Sequence, residues 1–461
     1  MIDPALQIDL LRKTLSRGGE YADIFMESRK VTSLVIEDSR LEKIITGAET
    51  GAGIRLLCNN RTSYAFSNDL TPGTLLQSAF ETSRIATDAS ALPIRQLEKR
   101  LPSVRFEIRS FPDNVSLGKK IEIIRHAEKI ARSYDDRIRQ VSVIYRDSTQ
   151  KVRIASSDGF LAEDDRVYTS FIIQVIAGKD GIVQTGYEAI GGFTGFELFK
   201  EENIEALSIK AAARAVMMLS ARRAPAGRMP VVISSRAGGT MIHEAIGHGL
   251  EADLAQQGLS IFSGKLGEQV ASELITVIDD ATLPGKRGSF RFDDEGTPSQ
   301  RTVLVEKGIL KSYMYDRLTA MKAGRQSTGN GRRESYQSRP IPRMTNTFIA
   351  SGASDPEEII RSVDQGLLVE KMGGGQVNTV TGDFVFDVQE GYLIKNGKKD
   401  ELVRGATLIG NGPQILRSID MAGTDLGFSI GTCGKDAQGV PVTDAMPTIR
   451  ISEMVVGGSH A

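Results

Sequence analysis

The stretch IEALSIKAAARAVMMLSARRAP, from Ile204 to Pro225, contains a predicted helix and the point at which the chain changes character. Its apolar residues recur on one helical face, namely Ile204, Leu207, Ala211, Ala215, Met218 and Leu219. We predict a helix from about Glu197 to Ala221 that ends near Pro225, because proline cannot continue a helix. This position separates two predicted domains, at residues 1–225 and 226–461.

The part of the chain before this helix combines other long helices with antiparallel strands. Helical spacing of apolar residues predicts helices at Pro4–Leu15, Gly73–Ala86 and Leu117–Tyr134. Strand patterns occur at Ala22–Glu27, Thr32–Ile36, Leu41–Ile45 and Gly53–Cys58, and across the strand-rich block Arg139–Ile190. Their short separations favour hairpins, so we expect an N-terminal α/β domain with antiparallel strands and long helices.

The part after the helix consists mainly of short strands and glycine-rich turns. Two examples are Gly308–Tyr313 and Gly391–Gly397, and the second ends in the strong hairpin signal Asn396-Gly397. We therefore expect a β-rich C-terminal domain that is barrel-like or layered, and an α+β fold overall. The glycine run Gly373–Gly375 precedes no convincing helix, so we interpret it as a close approach of backbone to another group.

Composition excludes several classes of protein. The 57 Lys and Arg residues balance 58 Asp and Glu residues, so the chain lacks the basic surface that nucleic-acid binding needs. No apolar run of ~20 residues predicts a membrane span, and the N-terminus lacks a secretory signal pattern. Only two cysteines occur, which indicates a reducing compartment. We expect a soluble cytoplasmic protein that binds neither nucleic acid nor membrane.

Two of the four histidines, His243 and His248, lie five residues apart, and Glu244 directly follows the first. Imidazole is the commonest zinc-binding side chain, and a neighbouring carboxylate suits base-assisted hydrolysis. Five residues of a regular helix rotate by ~500°, which leaves the imidazoles ~140° apart. We therefore predict a π-type turn or a break near Gly247. On spacing alone, a kinked helix with ordinary polar histidines is an equal alternative.

A catalytic zinc site usually has a third protein ligand. The candidates are Glu251, Asp253 and a thiolate from far along the chain. Cys433 lies in a glycine-flanked turn, and the nearby Lys435 would favour its thiolate. A buried structural thiol is nevertheless the commoner role of a free cysteine, and we interpret Cys58, at the end of an apolar strand, in that way.

Several motifs resemble those of the TldD/PmbA peptidases, and the resemblance covers essentially the whole chain. The matching segments are His243–Asp253, Asp293–Pro298, Asn330–Arg333, Pro340–Thr347, Gly373–Val377 and Gly431–Gly434. The resemblance is to the TldD-type subunit, since the PmbA-type (TldE) subunit lacks the metal site. It implies that His243, His248 and Cys433 hold Zn²⁺ and that Glu244 is the catalytic base.

The resemblance also implies a partner and a substrate. An α/β N-terminal domain and a β-rich C-terminal domain would form a homodimer, or a heterodimer with a PmbA/TldE-type subunit, around an enclosed channel. Peptides or unfolded polypeptides would bind there as added strands. The affinity of such binding comes from main-chain hydrogen bonds, which every peptide can form. Zinc would supply Lewis-acid activation, and Glu244 would accept the proton of water and pass it to the leaving amine.

Two other functions stay open at this stage. A metal-independent cysteine hydrolase would use Cys433 as nucleophile and His243 or His248 as base. A non-catalytic regulatory or DNA-gyrase-modulating subunit would bind without hydrolysis.

Charged residues outside the histidine motif suggest no clear role. We interpret the arginines at positions 332, 333, 339 and 343 as a solvated loop with surface ion pairs. The less favoured alternative is that one of them binds a substrate carboxylate or stabilises an oxyanion. Asp383 and Asp387 are candidates to support a ligand histidine, although turn and edge positions are their commoner use.

Overall fold

The computed structural model describes residues 2–87, 94 and 96–458, and the fourth histidine, His460, lies outside them. These residues form an α+β fold with a closed five-stranded barrel in its C-terminal part, which confirms the predicted fold class. Within the described ranges, no helix has both the length and the apolar character needed to cross a membrane.

The N-terminal half is organised around one seven-stranded sheet. Its strands are Tyr21–Glu37, Arg40–Cys58, Arg61–Ser67, Glu98–Lys99, Ile138–Ser156, Phe160–Lys179 and Ile182–Phe193. All pairs are antiparallel except that of the short strand Glu98–Lys99. The four segments predicted as strands between Ala22 and Cys58 are strands, but their division into four is wrong, because they belong to two long strands. The polar and glycine residues between the predicted segments suggested turns, but they pair with the opposite strand along the whole hairpin.

In the part of the N-terminal half that the structure describes, five α-helices belong with this sheet, and several of them pack on it. They span Pro4–Thr14, Pro72–Ser83, Leu117–Arg132, Leu198–Glu201 and Ile204–Met218. The single helix predicted from Glu197 to Ala221 is divided, because the Asn203 side chain accepts a hydrogen bond from the Ala206 N–H and starts a new helix. Apolar residues of the third and fifth helices pack on the sheet residues Val143, Phe171 and Ile173.

The C-terminal barrel is closed by pairing between its first and last strands. Its strands, in the order of pairing, are Gln365–Val377, Gly227–Ile233, Ile449–Gly457, Thr407–Asn411 and Asp383–Lys395. Three strands extend this sheet, at Arg222–Arg223, Lys398–Arg404 and Ile419–Ala422. Asn396 and Gly397 have φ of 51° and 69° and join two strands, as predicted. A Cβ on Gly375 would lie 1.8 Å from the Phe386 ring, which confirms a close approach at the glycine run.

A six-stranded sheet packs beside the barrel. Its strands, in the order of pairing, are Ile309–Leu310, Arg301–Glu306, Val277–Asp280, Asn346–Ile349, Gln438–Met446 and Gly427–Lys435. The last of these, which we call the cysteine strand because it contains Cys433, is at the edge of the sheet. Gly331–Arg332 and Ile341–Pro342 form a separate pair, and helices span Arg317–Ala323, Pro356–Arg361 and Gly412–Arg417.

The Asp293–Pro298 motif joins the two halves of the chain. The Arg55 guanidinium of the N-terminal sheet donates to Glu295 at 2.6 Å, and that of Arg166 donates to Asp294 at 2.7 Å. The Asp293 carboxylate accepts from the backbone of Glu295 and of two other residues, Thr297 and Gly331. The motif therefore holds the C-terminal half against the N-terminal sheet.

Candidate metal and catalytic site

The two motif histidines lie on a helix that changes its winding. Thr240–Ile242 is α-helical, His243–Gly247 forms a π-helical turn, and His248–Leu250 forms a 3₁₀ turn. The His248 N–H bonds to the carbonyl of His243, five residues earlier, which confirms the predicted π-type turn. Gly247 has ordinary helical dihedrals, and its missing side chain instead makes room for Met344, whose Sδ would lie 2.2 Å from a Cβ.

This winding brings His243 and His248 together with Cys433. The imidazole centroids are 5.0 Å apart with the rings at 88°, and the Cys433 Sγ lies 3.5 Å from the His248 Nε2. One ligand atom from each of the three residues lies within 4.8 Å of the others. We call this group the His–Cys cluster. It faces a cavity of about 360 Å³ that Glu244 also lines.

Charge within the His–Cys cluster favours a thiolate. Burial alone would raise the pKa of Cys433, but hydrogen bonds and positive charge from His243 and His248 outweigh it and lower the pKa to about 5. Lys435, which we expected to favour the thiolate, instead donates to Asp253 at 2.7 Å and pairs with Glu251 at 3.1 Å. The main causes of the lowered pKa of Cys433 are thus the two histidines, and the lysine is paired with two carboxylates.

A carboxylate behind His248 sets the orientation of its ring. The His248 Nδ1 lies 3.0 Å from the Glu251 Oε2, so its Nε2 is directed at Cys433. Burial would raise the pKa of Glu251, but Lys435 and His248 outweigh it and hold the pKa at about 2. Metal-binding histidines usually have such a carboxylate on the second ring nitrogen.

His243 has a comparable neighbour that the sequence did not reveal. The His243 Nδ1 is buried and has no hydrogen-bond partner among the described residues, and the Asp444 Oδ2 lies 4.0 Å from it. Asp444 is far along the chain and is placed here by strand pairing with Ser429. No local pattern around Asp444 could have indicated this position. Asp383, which the sequence suggested for such a role, instead accepts from Asn411 at the barrel.

The remaining candidate residues are now placed. Glu251 and Asp253 lie outside the group of side chains that could share one ion, and Cys433 lies inside it. Cys58 is buried in the N-terminal core, as expected. The expected surface arginine loop is wrong for three of its four members, because the arginines at 332, 333 and 343 are at most 4% exposed and Arg339 alone is exposed. Arg332 and Arg333 are enclosed between the two halves of the chain, and Arg343 is buried within the C-terminal half, which the sequence alone does not indicate.

Among the described residues, no strand pairs with the outer edge of the cysteine strand next to the cluster. Its hairpin turn, Asp436-Ala437, has φ of 50° and 55°, so Lys435 and Gln438 form the hydrogen-bonded pair that flanks a two-residue turn. In an antiparallel ladder the alternate residues point their N–H and C=O groups away from the partner strand. Thr432 and Gly434 are such residues, and Thr432 is exposed.

The side chains of the His–Cys cluster fit a zinc ion. Zinc prefers nitrogen and sulfur donors. The cluster offers two imidazole nitrogens and the sulfur of a cysteine whose pKa is lowered. Among the described residues, the Glu244 carboxylate accepts no hydrogen bond, and burial raises its pKa above the ordinary range while the histidine charges oppose the rise. This carboxylate is thus available to take up a proton inside the cavity.

Comparisons with protein families agree on one family across the chain. Models of the PmbA/TldA metallopeptidase match in three parts: domain 1 at residues 22–86, the central domain at 111–219 and the C-terminal domain at 226–458. Together they cover well over half of the chain.

Individual relatives match over nearly the full length. The metalloprotease TldD homolog of Haemophilus influenzae is 38% identical, covering 96% of this chain and 94% of its own. That of Buchnera aphidicola is 37% identical, covering 97% and 95%. The zinc metalloprotease TldD homolog of Saccharolobus solfataricus is 26% identical, covering 97% and 99%.

Solved structures share the fold. TldE from Thermococcus kodakarensis is 18% identical with a TM-score of 0.79, covering 98% of this chain and 100% of its own. A Thermotoga maritima protein described as a candidate modulator of a DNA gyrase is 22% identical with a TM-score of 0.79, covering 95% and 96%.

Proposed function

Because the chain belongs to the PmbA/TldD metallopeptidase family, we propose that it is a zinc-dependent peptidase with Glu244 as its catalytic base. The observation that carries this proposal is the convergence of His243, His248 and Cys433 beside Glu244 on one cavity. Zinc is the proposed metal because two imidazoles and a thiolate are its preferred donors, and one relative is named a zinc metalloprotease.

The chain's own residues would divide the chemistry between them. His243, His248 and Cys433 would hold zinc, which when bound supplies Lewis-acid activation of water and of the scissile carbonyl. Glu244 would accept the proton of the attacking water and deliver it to the leaving amine. Burial raises the pKa of Glu244 above its ordinary value, which suits a group that must both take and give a proton.

The substrate we propose is a peptide or an unfolded polypeptide. The cysteine strand is an edge strand with outward-pointing backbone groups at Thr432 and Gly434, next to Cys433. An extended peptide that adds to this edge would be placed beside the His–Cys cluster by main-chain hydrogen bonds alone. A compact protein offers no free extended segment, so it should be cleaved much more slowly.

We also propose that the active form in the cytoplasm is a dimer, either of two copies or with a TldE-type subunit. The similarity in fold to a protein named TldE supports a pairing of like-shaped chains. Gel filtration of the purified chain, alone and mixed with a TldE-type protein, would test this.

A cysteine hydrolase is the second candidate, because the Cys433 thiol has a lowered pKa and lies 3.5 Å from an imidazole. That mechanism needs no metal and no Glu244. Removal of metal with a chelator should abolish turnover under the leading proposal and leave it unchanged under this one.

The experiment that tests the proposal measures zinc content and peptide turnover on the same preparations. Glu244→Gln should keep its zinc and lose about 10²–10⁴-fold in rate, since it removes only the proton acceptor. Glu273→Gln, which changes an exposed glutamate, is the matched control and should behave as the wild type. Retained zinc with retained turnover would exclude Glu244 as the base, and no turnover in any preparation would favour a binding subunit.

The third ligand is tested separately by metal analysis. Cys433→Ala should lower zinc content strongly, because it removes the only sulfur donor of the cluster. Cys58→Ala, which changes the cysteine in the N-terminal core, is the control and should keep normal zinc. Equal zinc content in both variants would show that Cys433 is not a ligand.

A further inference from the structure

A second cavity, of about 330 Å³, lies between the N-terminal sheet and the C-terminal half and is lined by an unusual number of arginines. They are Arg29, Arg146, Arg166, Arg287, Arg332 and Arg333. We call this cavity the arginine pocket. Its acidic lining residues are Asp147, Asp294 and Glu334.

Most of the acidic charge in the pocket is already engaged. Asp147 pairs with Lys120 at 2.6 Å, and Asp294 pairs with Arg166 at 2.7 Å. The Glu334 carboxylate accepts from the backbone of Gly439 at 2.7 Å. Of the six arginines that line the pocket, four have no ion pair to a carboxylate of the described residues, namely Arg29, Arg146, Arg287 and Arg332.

Two of these arginines have side chains that donate only to backbone carbonyl oxygens among the described residues. Arg332 is buried and donates only to the carbonyl oxygens of Met344 and Pro441, and burial lowers its pKa to about 10. Arg287 is half-buried and its side chain donates to the Gly431 carbonyl at 3.3 Å. Burial lowers its pKa, and the like charges of neighbouring arginines lower it further. A guanidinium stays charged at neutral pH, so these charges are left to solvent or to an anion from outside the chain.

The pocket adjoins the candidate active site. Thr432 lines both the arginine pocket and the cavity of the His–Cys cluster. It is also an outward-pointing residue of the cysteine strand, next to Cys433. A peptide added to this strand would therefore pass from one cavity to the other, with one end or one side chain near the arginines.

We propose that the arginine pocket binds a carboxylate of the peptide substrate, an inference that rests on the proposed function. Guanidinium groups form paired, charge-assisted hydrogen bonds with carboxylates, and the planar fork favours this geometry over a point charge. The carboxylate is either the C-terminus of the peptide or an Asp or Glu side chain within it. The first source would direct cleavage to the end of a chain, and the second to acidic sequences.

Binding is measured by fluorescence anisotropy on the zinc-loaded Glu244→Gln protein, in which turnover is blocked. Three versions of one labelled peptide of Ala, Ser and Gly serve as probes: the free acid, the C-terminal amide, and the amide with one Glu. The free acid, the Glu-containing amide or both should bind about tenfold or more tightly than the plain amide. Which of the two gains affinity identifies the source of the carboxylate.

Pocket variants decide whether the arginines cause this preference. Arg287→Gln should reduce it to less than about threefold. Arg146→Gln should also reduce it, and because Arg146 is exposed, this variant is not expected to disturb folding. Arg339→Gln changes an exposed arginine outside the pocket and should keep the full preference. Equal binding of all three peptides, or a preference that survives both pocket variants, would overturn the proposal.

Turnover by the wild-type zinc protein separates this inference from the proposed function. Cleavage of all three peptides at equal rates and with equal affinities would leave the peptidase proposal standing and remove the carboxylate site. A carboxylate preference without any cleavage would remove the peptidase proposal and leave a carboxylate-binding site on a non-catalytic protein.

Discussion

The chain gathers like charges in two places between its halves, and the two places are built differently. One place contains Asp293, Glu295 and Asp316, which we call the acidic cluster, and these residues are at most 3% exposed. In the arginine pocket, Arg287 is half-buried and Arg146 is exposed. The three acidic residues are enclosed by the fold, whereas Arg29, Arg146 and Arg287 line a cavity and remain partly exposed.

Chemistry explains why the acidic cluster can be enclosed. Arg55 lies between Asp23 and Glu295 and neutralises much of their charge. Burial, together with the charge of Glu295, raises the pKa of Asp316 to about 7 and that of Asp293 well above its ordinary value. A carboxyl group can bind a proton and stay buried in the neutral form.

A guanidinium cannot become neutral in this way, because it does not lose its proton at neutral pH. Even where burial lowers the pKa of Arg332 to about 10, the group is charged at neutral pH. A cavity of arginines must therefore stay in contact with solvent or receive an anion. The acidic cluster therefore serves to join the halves, whereas the arginine pocket has a positive charge that the fold itself does not balance.

The largest expected effect would come from removing Arg55. Arg55→Gln leaves Asp23 and Glu295 buried without their cation, and such a change costs about 3–5 kcal/mol of unfolding free energy. Urea unfolding at pH 7 measures it, and Arg12→Gln, in an exposed pair with Asp9, is the control. A loss below about 1 kcal/mol, the range of an exposed ion pair, would show that Arg55 does not join the halves.

A smaller effect, and one that depends on pH, is expected for Asp316→Asn. The folded pKa of about 7 lies above the ordinary value of 3.8, so the stabilising contribution of Asp316 is fully present below about 3.8 and is lost as pH rises through 7. Asn can still cap the helix at Arg317–Ala323 but cannot ionise. The variant should gain about 3–4 kcal/mol over the wild type between pH 4 and pH 8. A difference that does not change with pH would mean that Asp316 titrates normally.

Much of the fold could be predicted because its signals are local. Helical spacing located Leu117–Arg132, and Asn396-Gly397 located a hairpin. The lengths of the first two strands were not predicted. The segment Thr46–Gly51 has no strand-like sequence pattern of its own, and it is extended because it pairs with the first strand. The division into domains at residues 1–225 and 226–461 stays a prediction.

The candidate site was predictable only in part for a related reason. The five-residue spacing of His243 and His248 implied a π-type turn, because a regular helix cannot bring both rings together. Asp444 and Arg287 gave no such signal, since each reaches its position through strand pairing or loop packing over a long sequence distance. The burial of Arg332 was missed because a cluster of charges normally indicates solvent.

The smallest expected effect, and the sharpest contrast with Arg55, concerns the stability of Arg287→Gln. In the absence of peptide, burial and neighbouring positive charges destabilise the charged Arg287 side chain. One side-chain hydrogen bond, to the Gly431 carbonyl, stabilises it. Replacing it by neutral Gln removes repulsion as well as that bond, so the free energy of unfolding should change by no more than about 0.5 kcal/mol.

Salt distinguishes the reason for this small change. Salt screens repulsion between partly exposed charges, so wild-type stability should rise more with added sodium chloride than that of Arg287→Gln. Urea unfolding of both proteins at low and high salt measures the difference. A loss above about 2 kcal/mol in the variant would show that Arg287 has a buried partner within the chain, because only the loss of a buried interaction costs that much. The arginine pocket would then be balanced by the fold in the same way as Arg55, and its charge would no longer call for a carboxylate from outside.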